Sequence, residues 1–356
     1  MLETHQNTML IKQHALLTSV EKLNGISVAI IGDVMLDEYI FGSVERISPE
    51  APVPIVRIEK EEYRLGGAGN VAKNIAALGG DPKLFGFMGQ DHGGQRLKEI
   101  LRENGIEDRC IQECDRPTTR KTRVIAQQQQ IVRIDRESTC IPSSDGLLTV
   151  LDGVEKAMEM CAVLIVSDYG KGLISTHVMS ELRRICVSKL HKPLIIVDPK
   201  PKNYSAYSGV SMLTPNAKEA GIEFVSLEGD PNQREDAWTE AVIAAGKKLM
   251  HDLQCNQLLI TLGARGMMLF TSPSRAVHIP TAAKKVYDVT GAGDTVIAVL
   301  GLALAAGIDS LQACFLANYA AGLVVGQIGA TAVQPEQLKE AIMSWSLLGA
   351  KEFSVQ

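Results

Sequence analysis

The sequence predicts an α/β protein in which a mostly parallel central sheet is flanked by helices on both faces, with a small β-sheet lid beside it. Three observations carry this. Short runs of β-branched and aliphatic residues alternate along the chain with longer stretches of helical period. The strand runs are apolar at every position, which is the pattern of strands buried on both faces. Finally, Pro52–Arg64 and Thr118–Asp135 break the alternation as polar, two-sided strands, better suited to a small exposed sheet than to a core. Exposed edges of that kind need covering, so a homodimer contact through the lid is expected.

In order along the chain, the expected core strands are Ile26–Gly32, Leu84–Met88, Val163–Ser167, Leu194–Asp198, Met212–Thr214, Leu258–Leu262 and Met267–Phe270. Helical period runs through Gln95–Asn104, Val178–Lys189 and Trp238–Leu253, and an apolar helix extends to about Ala306. Ligands of such folds sit at the carboxyl ends of the strands. Polar punctuation follows several of them here, at Gly32-Asp33, Ser167-Asp168, Asp198-Pro199-Lys200 and Thr214-Pro215-Asn216, and these points are expected to converge on one crevice.

Composition removes several classes of function. The chain has 356 residues, 46% hydrophobic and 22% charged, with a net charge of −5. Its Lys and Arg are scattered, leaving no footprint for nucleic acid. Seven cysteines without a Cys-x-x-Cys pair read as reduced, mostly buried thiols in a cytoplasmic protein. The longest apolar run, Val296–Ile308, falls short of the roughly 20 residues that cross a bilayer, and the first fifteen residues lack a signal-peptide core, so no membrane association is expected.

Two glycine-rich stretches carry chemistry. Asp288-Val-Thr-Gly-Ala-Gly-Asp294 sets small residues before a carboxylate and an apolar helix. The free N–H groups of a helix's first turn suit a phosphate or a developing oxyanion, so this stretch points to phosphoryl transfer. Gly66-Gly-Ala-Gly-Asn70 lets the backbone approach a polar ligand, with the Asn70 amide offering a donor and an acceptor to sugar hydroxyls. Gly67-x-Gly69-x-x-Ala72 also fits a relaxed dinucleotide fingerprint, but the polar Glu61–Arg64 precedes it where a buried strand is required. No P-loop and no protein-kinase signature occurs.

Together, in this order, the two stretches resemble the two signatures of the ribokinase-like, or phosphofructokinase-B, sugar kinases. The resemblance covers about residues 25–345. Ser48–Pro54, Ser167–Gly172, Asp198–Lys200, Leu213–Asn216 and Val286–Thr295 further resemble the branch that phosphorylates D-glycero-D-manno-heptose 7-phosphate on the way to ADP-heptose for lipopolysaccharide core. Val289 and Val296 stand where the family commonly has Thr and an aromatic, and that branch shows the same kind of change. The resemblance implies a ribokinase-like three-layer fold over residues 26–350, after an N-terminal extension of 1–25 and with lid segments at about 38–64 and 116–136. It also implies ATP and a sugar phosphate as substrates, Mg²⁺, and a monovalent cation as an open question. No His-x-Gly-His motif is present, which implies a separate nucleotidyltransferase acting downstream.

Asp294 is then the expected catalytic base, with a helix-capping Asp as the alternative, and Gly291, Ala292 and Gly293 form the anion hole. For the sugar the expected residues are Asp33, Gly66, Gly67 and Asn70. Arg120, Lys121, Arg123 and Lys171 are candidates for a substrate phosphate, or else solvated lid charges. Asn216-Ala217-Lys218-Glu219 resembles the family's Asn-x-x-Glu element, placing Asn216 near phosphates and Glu219 toward Mg²⁺ through water. The same four residues also read as a capping box. Thr261, Gly263 and Gly266 resemble the nucleotide loop, with a plain turn as the alternative. Asn318 and Ala321 on the next helix line either the adenine pocket or the core.

Overall fold

The computed structural model describes residues 7–108, 111–127, 129–222, 231–283, 285–326, 331–344 and 349–354. The chain opens with β1 (Asn7–Leu10) and α1 (Gln13–Glu21), then enters the core at β2 (Ser27–Gly32). Two long strands, β3 (Val34–Ile47) and β4 (Pro54–Gly67), leave the core and come back to it. β4 runs without a break into α2 (Ala68–Ala77). After β5 (Asp81–Gly89), α3 (His92–Glu103) and β6 (Ile111–Cys114), a hairpin of β7 (Thr119–Ala126) and β8 (Gln129–Arg136) leaves again. Alternation resumes through α4 (Ser144–Ala157), β9 (Val163–Ser167), α5 (Thr176–Ser188), β10 (Leu194–Asp198) and the short β11 (Met212–Leu213). It continues with α6 (Pro231–Leu253) and β12 (Gln257–Thr261), followed by a hairpin of β13 (Met267–Ser272) and β14 (Arg275–Ile279). Three helices, α7 (Ala292–Ala305), α8 (Ser310–Val325) and α9 (Pro335–Ser344), precede β15 (Gly349–Ser354).

Among the described residues the large sheet has the order β1-β15-β14-β13-β12-β11-β10-β9-β2-β5-β6. The run from β12 to β6 is parallel, as expected from its continuous apolar strands, while β13, β14, β15 and β1 add an antiparallel wing. Side chains alternate between two cores. Val28 and Ile30 of β2, with Val163 and Ile165 of β9, face the layer that includes α2, α7 and α8. Ala29, Ile31, Leu164 and Val166 face the layer that includes α4, α5 and α6. α7 is buried almost all round, which is why its sequence shows no polar face. Fully burying one of its leucines, such as Leu300, contributes about 2 kcal/mol.

A second sheet of order β4-β3-β7-β8 forms the lid. The stretch 118–135, read from sequence as one strand, is a hairpin that turns at Gln127 with φ 49°. Its glutamines carry none of the usual turn chemistry, so pattern alone hides the break. Residues 7–25 are woven into the same fold: β1 pairs antiparallel with β15, and Leu16, Val20 and Leu23 join the core.

Candidate active site

The site begins with how α7 starts. Gly291 caps the helix at φ 79°, in the left-handed region where a side chain is strained, and no side chain caps the first turn. Nothing lies within 4 Å of the place where a Cβ on Gly293 would stand. The turn stands at the positive end of the helix dipole, and within it the Ala292 N–H donates to the Val289 carbonyl at 3.3 Å.

Asp294 sits in this first turn, only 4% exposed. It does not cap its own helix. Its Oδ1 accepts a hydrogen bond from the Tyr169 hydroxyl at 2.6 Å and its Oδ2 accepts one from Asn70 Nδ2 at 2.8 Å. Burial pushes its pKa up to about 6, against the pull of those two hydrogen bonds. The charge of Asp37 raises it further, and that of Lys121 lowers it.

On one side of Asp294 lies a nest of carboxylates. Asp33, at the end of β2 and 3% exposed, accepts the backbone N–H groups of Tyr169 at 2.8 Å and Lys171 at 3.0 Å on Oδ2. Its Oδ1 is buried without a protein partner, an acceptor left for a ligand hydroxyl. Burial, with the charge of Asp168, raises its pKa, and the two N–H bonds oppose that. Gly67 explains the glycine-rich entry to α2: at φ 55°, a Cβ there would lie 2.4 Å from the Asp33 carbonyl oxygen. A Cβ on Gly66 would come within 2.8 Å of Asp37 Oδ2. β4 is a lid strand, so the dinucleotide alternative lacks the core strand it needs.

Five residues of this region were not singled out from sequence as site residues: Asp37, Asp168, Tyr169, Asp198 and Lys200. Asp168, Asp198 and Lys200 lie in segments marked as punctuation after strands, and Tyr169 in the Ser167–Gly172 stretch of the resemblance, so the signal was present but not resolved to roles. Asp168 is fully buried and shapes its loop, accepting from Gly170 N–H and Asn203 Nδ2 (2.6 Å each) and from the Tyr207 hydroxyl. Burial, then the charge of Asp294, drives the pKa of Asp198 well above the usual carboxylate range.

The four candidate cations separate. Strand alternation puts Lys121 and Arg123 on one face of β7 and Arg120 on the other. Lys121 Nζ lies 5.3 Å from the Tyr169 ring centre, over the site. Arg123 Nη1 donates to Asp37 Oδ1 at 2.6 Å. Arg120 lies 3.5 Å from Glu38 on the opposite face, and the structure does not bring it to the carboxylate nest. Lys171 reaches Glu137 at 2.6 Å, so its backbone rather than its ammonium meets Asp33.

The other side of α7 is built differently. Thr261, Gly263, Gly266, Asn318 and Ala321 line a cavity of about 410 Å³ together with Ala292 and Gly293, and Val286, Val289, Val296 and Val325 make it apolar. Asn318 is not free there: its Nδ2 donates to the Pro280 carbonyl at 2.7 Å. Asn216 pairs with Thr261 as an isolated bridge, which joins the Asn216–Glu219 element to this loop. Asn216 N–H donates to Glu219 Oε2 at 3.0 Å and Glu219 N–H to Asn216 Oδ1 at 2.9 Å, a reciprocal box. Ala217 is buried beneath it, and its N–H donates to the Thr261 carbonyl at 3.0 Å. Lys218 is outside the cavity lining, and Glu219 Oε1 pairs with Lys200 Nζ at 2.6 Å. Among the described residues no group of three or more His, Cys, Asp or Glu side chains is placed to hold a metal ion. Cys114 donates to the Met88 carbonyl, and Cys110 lies outside the described residues. No helix among the described residues is long and apolar enough to cross a membrane.

Residues 26–337 match the model of the pfkB family carbohydrate kinases. The bifunctional protein HldE of Citrifermentans bemidjiense is 42% identical over 321 residues, covering 89% of this chain and 63% of that protein. The bifunctional protein HldE of Geobacter sulfurreducens is 41% identical over 315 residues, covering 88% and 62%. The chain thus spans somewhat under two thirds of the length of these curated relatives. Among solved structures, Arabidopsis thaliana ribokinase complexed with ribose and ATP superposes with a TM-score of 0.66 at 19% identity, over 90% of this chain and 100% of that one. Escherichia coli phosphofructokinase-2 in complex with potassium gives 0.69 at 17%, over 89% and 98%. The layers, the lid sheet and the two-sided cleft at α7 are therefore the ribokinase-like fold, and the chain is a member of the pfkB carbohydrate kinase family.

Proposed function

We propose that the protein transfers the γ-phosphoryl group of ATP to O1 of D-glycero-D-manno-heptose 7-phosphate, giving the 1,7-bisphosphate. The observation that carries the chemistry is the position of Asp294: a buried carboxylate beside the uncapped N-terminus of α7, between a carboxylate-lined pocket and an apolar one. Phosphoryl transfer asks mainly for an oriented hydroxyl and stabilised charge. In this reading Asp33 and Asn70 orient the sugar, Asp294 accepts the proton of O1, and the N–H groups at Gly291–Gly293 meet the charge on the transferring group. Lys121 and Arg123 face the cleft as ligands for the substrate's own phosphate. ATP takes the cavity between Thr261–Gly266 and α8, its adenine near Ala321 and its phosphates toward Asn216. The heptose rests on the motif resemblance, and the identity to the HldE proteins supports a shared activity over the matched stretch.

Asp198 and Glu219 fit Mg²⁺: the metal needs only one or two carboxylates beside water and substrate phosphates, and the repulsion that raises the Asp198 pKa is what a cation relieves. Bound there, the ion would neutralise phosphate charge. A monovalent cation beside the anion hole is part of the same proposal, tested by replacing potassium with choline in the assay. The lid carries Ile58, Ile131 and Val132 in exposed positions around an apolar groove, and we assign that face to a second copy of the chain. Sedimentation of the wild type against Ile58→Lys tests it, and equal masses would remove the assignment.

The direct test is purified protein with Mg-ATP and a sugar panel. Turnover of fructose 6-phosphate with none of the heptose phosphate would overturn the substrate while leaving the kinase reading intact.

A further inference from the structure

Both oxygens of Asp294 are engaged before any substrate is present. Asn70 holds one from inside α2 and is itself buried, whereas the Tyr169 phenol, on the other, belongs to a half-buried residue at the cleft. Of the two partners, Tyr169 is the more exposed. The backbone of Tyr169 is fixed, its N–H donating to Asp33 Oδ2 at 2.8 Å, and the ammonium groups of Lys121 and Lys200 each lie 5.3 Å from its ring centre. Only the side chain has to turn for the oxygen to be released. Burial and the charge of Asp294 keep the phenol protonated, so it is a donor to the carboxylate, as an alcohol would be.

We propose that Tyr169 stands in for the acceptor alcohol: its hydroxyl caps Asp294 in the sugar-free site, and the sugar hydroxyl displaces it. The device rests on the reading of Asp294 as the base. Its use is to protect ATP. Without a cap, a water could pass its proton to Asp294 as its oxygen bonds to the γ-phosphorus. The bond from that phosphorus to the bridging oxygen would then break and release ADP and inorganic phosphate. The same residue reads sugar arrival, since its N–H is tied to the carboxylate that awaits a sugar hydroxyl.

The test is phosphate release from Mg-ATP without sugar, by the wild type, Tyr169→Phe and Tyr169→Phe with Asp294→Asn. Tyr169→Phe should release phosphate about tenfold faster or more, and the double variant should fall back to the wild-type rate. No rise, or a rise that survives loss of Asp294, overturns the proposal. This arm needs no sugar, so it reads Tyr169 even if the heptose assignment fails. With a sugar that the wild type turns over, the acid limb of kcat/KM should move to higher pH in Tyr169→Phe, because the free base has lost a donor, while the limb of kcat keeps its place. Equal movement of both would show the phenol staying on the carboxylate through turnover, and would also overturn the displacement.

Discussion

The two sides of α7 are built by different means. On the side proposed for the sugar, Asp33, Asp37, Asp168 and Asp294 are buried and fixed by named hydrogen bonds, so recognition there would lie in charged side chains. On the side proposed for the nucleotide the walls are mostly valines, alanines and glycines, with Thr261, Thr281 and Asn318 among the lining residues. A carboxylate nest is specific but costly to bury, and an apolar slot is cheap and selects by shape. The helix between them belongs to both, its first turn carrying the proposed base and the proposed anion hole.

The largest break in this comparison comes from Asp294→Asn. It should lower kcat by about 10²–10⁴-fold with little change in ATP binding, and steady-state kinetics with an ATP titration checks both. The same residue fixes the pH dependence. Since Asp294 must be ionised to act and its pKa is raised to about 6, kcat/KM should fall about tenfold per pH unit below that value. Stability runs the other way. A carboxylate whose pKa is raised from 3.8 on folding penalises the folded state above about pH 6. That penalty, on the order of 3 kcal/mol, fades as pH falls from about 6 toward 3.8, where the folded state binds the proton first. Asp294→Asn should therefore melt higher than the wild type at pH 8, with the difference shrinking by pH 5.

Asp33→Asn should raise the sugar KM by about 10–100-fold and leave that for ATP in place, because its free oxygen faces only the carboxylate nest. Ala321→Leu should do the reverse, raising the ATP KM several-fold by filling the slot while the sugar KM holds. If either variant moves both constants together, the two sides are not independent and the division at α7 is wrong. The smallest pH effect is that of Lys121→Met, which should also raise the sugar KM if Lys121 holds the substrate phosphate. Removing a charge that lowers the Asp294 pKa should shift the acid limb of kcat/KM slightly upward.

Much of the sugar side was legible because its chemistry is local. Asp33, Asn70 and Asp294 each sit at a strand end or helix start that the sequence announces, and the parallel strands β2, β5, β9 and β10 are apolar enough to be found without partners. Asp37 and Tyr169 were harder. Which face of β3 looks into the cleft depends on its register with β7, where Asp37 lies opposite Lys121, a pairing between distant segments. The spread of the lid cations has the same cause: alternation separates Arg120 from its neighbours, but only the pairing with β3 gives Arg123 to Asp37 and Arg120 to Glu38. The β1–β15 ladder joins the two ends of the described chain, and nothing in either short stretch marks the other as its partner.

One junction has a mechanical side. β3 leaves the core directly after Asp33 and β4 re-enters it at Gly67, where Ala68 N–H donates to the Asp33 carbonyl at 3.1 Å. The lid is thus a lever whose pivot lies beside Asp33, the proposed sugar ligand. Its arm of 14 residues is about 45 Å long at 3.3 Å per residue, so a turn of about 10° at the pivot sweeps its tip through about 8 Å. On that proposal a hydroxyl settling against Asp33 would act at the fulcrum, and a small displacement there would become a large excursion at Ile47 and Pro54, the far end of the arm.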